Sequence, residues 1–198
     1  MTNLKVAIIG CGGIGSYFVR SLSEIIKKDV AGFGKINPMG IDLIDFDLVE
    51  EKNLSYQNFD VEHLGLNKAE VLAEITGYKG IKEEVNNVAQ LREYDFIILC
   101  VDNNKVRNIV YNSEIPFLDL RAKGTGIMVF LTSKEEDRIQ EYLNLTEDTG
   151  EKGGCQYEND VESRDIEFGN RIVAEIGLQI LKRYLKGEIK HKNYILMI

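Results

Sequence analysis

Short apolar runs bounded by glycine or acidic residues alternate along this chain with longer stretches whose apolar residues recur every three or four positions. The first kind reads as buried strand, the second as helix packed on a core. Leu4–Ile9 is such a run and stops at Gly10. From Gly15 to Lys28, Phe18, Val19, Leu22, Ile25 and Ile26 share one helical face. Ala31–Pro38, with Gly32, Gly34 and Pro38, reads as a loop, and Met39–Phe46 as a second strand ending among acidic residues. Residues 47–65 are polar and irregular, Asn67–Ile75 predicts a helix, and Val85 falls on a short edge strand. Asp95–Val101 is another apolar strand, followed by Asp102-Asn103-Asn104 and a short helix through Tyr111. Pro116–Leu120 and Ile127–Thr132 add two strands. Residues 133–166 hold few apolar positions and read as a long flexible crossover loop. An amphipathic helix over 168–187 closes the chain, with Gly187 at its C-cap.

Strands alternating with helices imply right-handed crossovers. The expected fold class is therefore α/β: a Rossmann-like, mostly parallel sheet flanked by helices, with a crossover loop and a C-terminal helix. The 198 residues, 44% of them hydrophobic, suit one domain over 1–198. No stretch approaches the roughly 18 consecutive apolar residues of a membrane helix. Met1-Thr2-Asn3-Leu4-Lys5 leads straight into a strand without a signal-peptide pattern, so a cytoplasmic protein with no membrane partner is expected. The net charge of −8 argues against a nucleic-acid partner. Cys11, Cys100 and Cys155 are scattered, as reduced thiols are. Without a CxxC pair or metal-ligand spacing at His63 and His191, no zinc is expected.

Gly10-Cys11-Gly12-Gly13-Ile14-Gly15 follows a strand and opens a helix, the context in which G-x-G-x-x-G carries meaning. Gly10, Gly12, Gly13 and Gly15 allow a tight turn and close backbone approach, and a helix N-terminus favours phosphate. The bland alternative is a strand–helix turn with no ligand. The motif alone does not separate NAD from ATP.

Three further segments narrow the choice. Asp45-Phe46-Asp47-Leu48-Val49, running on to Asn53-Leu54-Ser55-Tyr56-Gln57, resembles the D-x-D-x-V-x-x-x-N-L-x-R-Q pattern of the ThiF/MoeB/HesA family. Gly65-Leu66-Asn67-Lys68-Ala69 resembles its G-x-x-K-A segment, and Cys100-Val101-Asp102-Asn103 with Arg107 its C-x-D-N-x-x-x-R segment. The acids also lie farther beyond the glycines than the 20 or so residues usual for a NAD ribose ligand. The chain resembles most the short stand-alone members of the family.

That resemblance implies ATP-dependent adenylation of the C-terminal carboxylate of a small ubiquitin-like or sulfur-carrier protein ending in Gly-Gly. In that reading Asp45 holds the ribose hydroxyls, Asp47 and Gln57 are further nucleotide-binding residues, and Lys68 offsets phosphate charge. Asp102 is the Mg²⁺ ligand, Asn53 orients the phosphate-side groups, and Arg107 is either a ligand contact or a structural salt-bridge partner. Cys155, in the crossover loop between Gly153-Gly154 and Gln156-Tyr157, is either a nucleophile that accepts the activated carrier or an incidental thiol. A homodimer is also implied, with the apolar residues of 127–132 and 168–185 as its surface.

Two departures temper the implication. Tyr56 stands where the family has arginine and supplies no fixed positive charge, so Lys52 or Arg121 would have to replace it. The sequence also enters its first strand without the helix from which many relatives donate a second arginine. Alternatives left open are a catalytically weak or inactive nucleotide-binding scaffold, an NAD(P)-dependent oxidoreductase, and a relative acting on an RNA base or small carboxylate.

Overall fold

A computed structural model describes residues 4–28, 32–123, 126–132, 165–189 and 192–197. Successive residues of β1 (Leu4–Ile9) point to opposite faces of the sheet, and both faces are covered. Val6 and Ile8 meet α1 (Gly13–Lys27), α2 (Lys68–Thr76) and α4 (Asp165–Leu185), while Ala7 and Ile9 meet α3 (Asn104–Tyr111) and its neighbours. Fully buried Phe18 and Leu22 of α1 lie in the first layer, where each contributes about 1.5–3 kcal/mol of transfer free energy.

Seven strands form one sheet in the order β3-β2-β1-β4-β5-β6-β7. Here β2 is Ile36–Ile44, β3 Lys79–Ile81, β4 Phe96–Leu99, β5 Phe117–Lys123, β6 Gly126–Thr132 and β7 Lys192–Met197. The first five are parallel, and β5–β6 and β6–β7 are antiparallel. The chain steps from β1 to β2 and β3 on one side, then crosses back to β4 on the other. The C-terminal ends of β1 and β4 therefore flank the point where strand order reverses, the usual ligand crevice of such sheets.

The Rossmann-like class is confirmed, with local differences. Strand β2 begins at Ile36, inside the segment expected to be loop. Its pairing skips from Leu4↔Ile36 to Val6↔Ile41, so Pro38 and Gly40 sit in an irregularity that a regular ladder would not accept. The edge strand is Lys79–Ile81, and Val85 instead packs as a buried residue on the α3 face. Helix α4 starts at Asp165 rather than 168, so residues 165 and 166 leave the expected loop. Strand β7 lay in a stretch with no expected element. It encloses β6 between two neighbours, and Ile127, Val129 and Leu131 are buried. Residues 127–132 thus offer no free apolar face, whereas Phe168 and Ile172 of α4 remain exposed.

Helix ends follow local chemistry. Asn67 caps α2, accepting the Glu70 amide at 3.1 Å. Gly187 ends α4 with φ +76°, its amide bonded to Tyr184 O and that of Glu188 to Arg183 O. Those two bonds make a Schellman motif, as the glycine's position had suggested.

Candidate functional site

The turn from β1 into α1 is closed by contacts that only glycine permits. A Cβ on Gly10, whose φ is +91°, would lie 2.6 Å from the Cys100 carbonyl oxygen, and one on Gly15 would lie 1.9 Å from that of Gly10. The first glycine thus makes the turn and the last brings helix against strand. Gly12 is the N-cap of α1, and no side chain caps this end. The first amides of the helix, which have no intrahelical acceptor, therefore receive none from the N-cap side chain either, which suits an anion.

Asp45 follows the last residue of β2 and is buried. Its Oδ2 accepts the Cys11 amide at 2.6 Å and its Oδ1 the Asp47 amide at 2.8 Å. Burial raises the carboxyl above its usual value, against the opposing pull of those two amides and of Lys68. The sequence spacing had seemed to separate Asp45 from a NAD-type ribose acid. In the fold it stands at the end of the second strand all the same, because the loop and irregularity before Ile41 absorb the extra residues. The Asp45 position alone therefore does not distinguish the two nucleotides.

Lys68 opens α2 beside this acid. Its ammonium is buried and lies 3.2 Å from Oδ2 of the half-exposed Asp47. Asn67 fixes this junction by donating to the carbonyls of Asp45 and Asp47 at 3.0 and 2.9 Å. Lys68 also acts electrostatically on Asp45 and Cys11, which puts its charge next to the glycine loop.

The Glu51–Ser55 turn leads to Gln57, which packs against the same loop. Asn53 is buried, accepts the Glu50 amide and donates to the Tyr56 hydroxyl at 3.1 Å. Tyr56 is itself buried. Gln57 lies against Gly12, and its buried Oε1 has no hydrogen-bond partner among the described residues. Of the two substitute cations, Lys52 is exposed and paired with Glu50, while Arg121 is buried against Asp119 at 2.6 Å.

Asp102 lies beyond the end of β4, exposed, with no hydrogen bond or ion pair among the described residues. Arg107 is buried beneath it. Its guanidinium donates to the Val101 carbonyl and to Asn104, and Nε lies 3.5 Å from Asp119 Oδ2. The same carboxylate takes the Tyr111 hydroxyl at 2.7 Å. Arg107 thus joins the strand end to α3, the geometry of a salt-bridge partner.

Cys11 and Cys100 are buried, and burial raises both thiols, with Asp45 adding to the effect at Cys11 and Asp119 at Cys100. Cys155 lies outside the described residues. Asn170 of α4 went unnoticed in the sequence. It is buried, donates to the Tyr56 carbonyl at 3.2 Å and touches Gly13. No motif marks it, since only the docking of α4 brings it to the loop. A groove of about 450 Å³ between α1 and α4 includes Tyr17, Arg20, Asn58 and Arg171 but none of the loop glycines.

The glycine loop, Asp45, the Asp47–Lys68 pair and Asp102 therefore converge at the ends of β1, β2 and β4. No described helix is long and apolar enough to cross a membrane. Solved structures share the fold at low identity. E. coli MccB with AMPCPP and MccA has a TM-score of 0.66 at 18% identity, over 98% of this chain and 64% of that one. MccB with ATP gives 0.65 at 18% identity, over 99% and 64%. PaaA gives 0.67 at 20% identity, over 98% and 69%. The chain thus spans under two thirds of the length of MccB. No curated protein matches the sequence. A model described as the ThiF family matches residues 1–158, and the chain belongs to that family.

Proposed function

We propose that this chain binds ATP–Mg²⁺ at the ends of β1, β2 and β4 and adenylates the C-terminal carboxylate of a small ubiquitin-like or sulfur-carrier protein. The carrying observation is the buried Lys68 ammonium, paired with Asp47 and acting on Asp45 beside the uncapped start of α1. A dehydrogenase needs no such cation, whereas a triphosphate does. The ATP held by MccB and the MccA bound to it support the same reading of nucleotide and partner.

The site fits a nucleotide through groups that lack partners. Among the described residues, the start of α1 has no capping side chain, Gln57 Oε1 has no hydrogen-bond partner, and Asp102 makes no hydrogen bond or ion pair. Asp102 would hold Mg²⁺, which adds charge neutralisation on the phosphates when bound. In the reaction a carboxylate oxygen of the carrier bonds to the α-phosphorus and the bond to pyrophosphate breaks, leaving an acyl-adenylate. Alignment and charge stabilisation suffice for this, with no protein nucleophile. The α1 amides and Lys68 would face the developing charge, and Asp45 would orient the ribose. Asn53 would act through the turn it closes. Cys155 as an acceptor of the carrier, and a homodimer, belong to this proposal as well.

Tyr56 favours a second reading, that of a weak or inactive nucleotide-binding scaffold. Its side chain is buried and its hydroxyl already bonded, so it adds no cation at the family's arginine position. Calorimetry with ATP–Mg²⁺ against NAD tests the nucleotide, and tighter binding of NAD would refute the proposal. ATP–pyrophosphate exchange with candidate carriers tests the reaction. ATP binding without exchange on any carrier or other carboxylate would select the scaffold.

A further inference from the structure

Asn170 lies far in sequence from the glycine loop and the Tyr56–Gln57 turn, yet its carboxamide meets both. Nδ2 donates to the Tyr56 carbonyl at 3.2 Å, so α4 holds the residue that precedes Gln57. The same nitrogen lies 2.6 Å from where a Cβ on Gly13 would stand, with Cγ at 3.1 Å and Oδ1 at 3.2 Å. Gly13 does not have a positive φ. Its backbone would accept any L-residue, and the space it leaves is taken by Asn170. Gln57 meanwhile rests on the neighbouring Gly12, 3.6 Å from its Cβ direction. Two carboxamides from different elements therefore pack on consecutive glycines at the start of α1. One of them, Asn170, is buried to 4% exposure and bonded to the backbone beside the other.

We infer that Asn170 is a positioning residue for the nucleotide. It locks α4, the Tyr56–Gln57 backbone and the Gly12–Gly13 peptides together, so that the docked C-terminal helix sets where the phosphate-facing amides point. The inference rests on the nucleotide reading above. It also assigns the glycine at position 13 a cause in the fold: room for the Asn170 carboxamide rather than room for a ligand.

The experiment compares wild type, Gly13→Ala, Asn170→Ala, the double variant and the isosteric Asn170→Asp. Affinities for ATP–Mg²⁺ and for adenosine are measured by calorimetry and competition, with thermal melts and the Gly12 and Gly13 amide resonances alongside. Gly13→Ala should weaken ATP about 10-fold, and adding Asn170→Ala should recover most of that loss, as coupled neighbours do. Asn170→Asp keeps the shape but cannot donate to Tyr56, and it should lower ATP affinity about 10-fold while adenosine binding holds. In the absence of ligand, Asn170→Ala should shift the Gly12 and Gly13 amides. Strictly additive losses in the double variant, or unshifted glycine amides, would overturn the inference. A wild type that binds no ATP while the glycine amides still couple to Asn170 would refute the nucleotide reading and, with it, the positioning role, leaving a packing contact only.

Discussion

Asp45 Oδ2 and the Cys11 amide are 2.6 Å apart, so the acid at the end of β2 also fixes the first peptide of the glycine loop. Asp45→Ala should therefore do two things at once. Leaving the buried Cys11 amide without its acceptor should cost about 1–3 kcal/mol of stability. Nucleotide affinity should fall with it. Denaturant titration paired with ATP calorimetry checks both, and an unchanged midpoint would show that the loop does not depend on this bond.

The same carboxyl predicts a pH response. Burial raises its pKa in the folded chain, so folding favours the protonated form and the ionised group lowers stability at neutral pH. That penalty should ease as pH falls through the folded pKa, above the usual aspartate value of about 3.9. Nucleotide affinity should decline over the same interval, because a protonated Asp45 is a poorer acceptor for ribose hydroxyls. Comparing pH profiles of wild type and Asp45→Asn isolates the effect, and identical profiles would rule Asp45 out as its source.

Lys68→Met should spare the fold and remove the exchange reaction. Asp47, its partner, is half-exposed and can be solvated when the ammonium goes. By analogy with loss of a charge-stabilising donor, ATP–pyrophosphate exchange should drop about 10²–10³-fold. A variant that exchanges at the wild-type rate would move the phosphate cation elsewhere.

Beneath the site, Asp119 binds Tyr111, Arg121 and Arg107 with a fully buried carboxylate. Asp119→Ala would take from buried Arg107 and Arg121 the carboxylate that both face, and should cost about 3–5 kcal/mol. Replacing Tyr111 by Phe removes two hydrogen bonds, one donated to Asp119 and one accepted from Arg121, and should cost about 1–3 kcal/mol. Equal losses in the two variants, read by chemical denaturation, would contradict this ranking.

Much of this arrangement was legible in the chain. The strand, glycine loop and helix from Leu4 to Lys27 follow from local pattern, as does the Gly187 stop. Residues such as Asp45 and Lys68 were legible as a motif, but their partners were not: Cys11 and Asp47 meet them only through the sheet register and the Asn67 clasp. Arg107 carried equal weight as ligand contact and salt-bridge partner until Asp119, from β5, supplied the counter-charge. Strand β7 escaped notice because lysines and a histidine just before it mask a short apolar run. Asn170 escaped because a lone asparagine on an amphipathic helix has no signal beyond its own polarity.

The order of the sheet sets a timetable for making the protein. β1 precedes the other strands of the sheet in sequence but lies inside it, and its partner β4 follows roughly 90 residues later in the chain. The glycine loop needs Cys11, Asp45 and Asn170 in place, and the last of these belongs to the final helix. A ribosome-bound chain truncated before α4 can hold β1 to β5 yet lack the contact on Gly13. The pocket is therefore completed only once α4 has docked, in the slow regime expected of distant parallel pairings, and refolding of the phosphate end should trail that of the sheet.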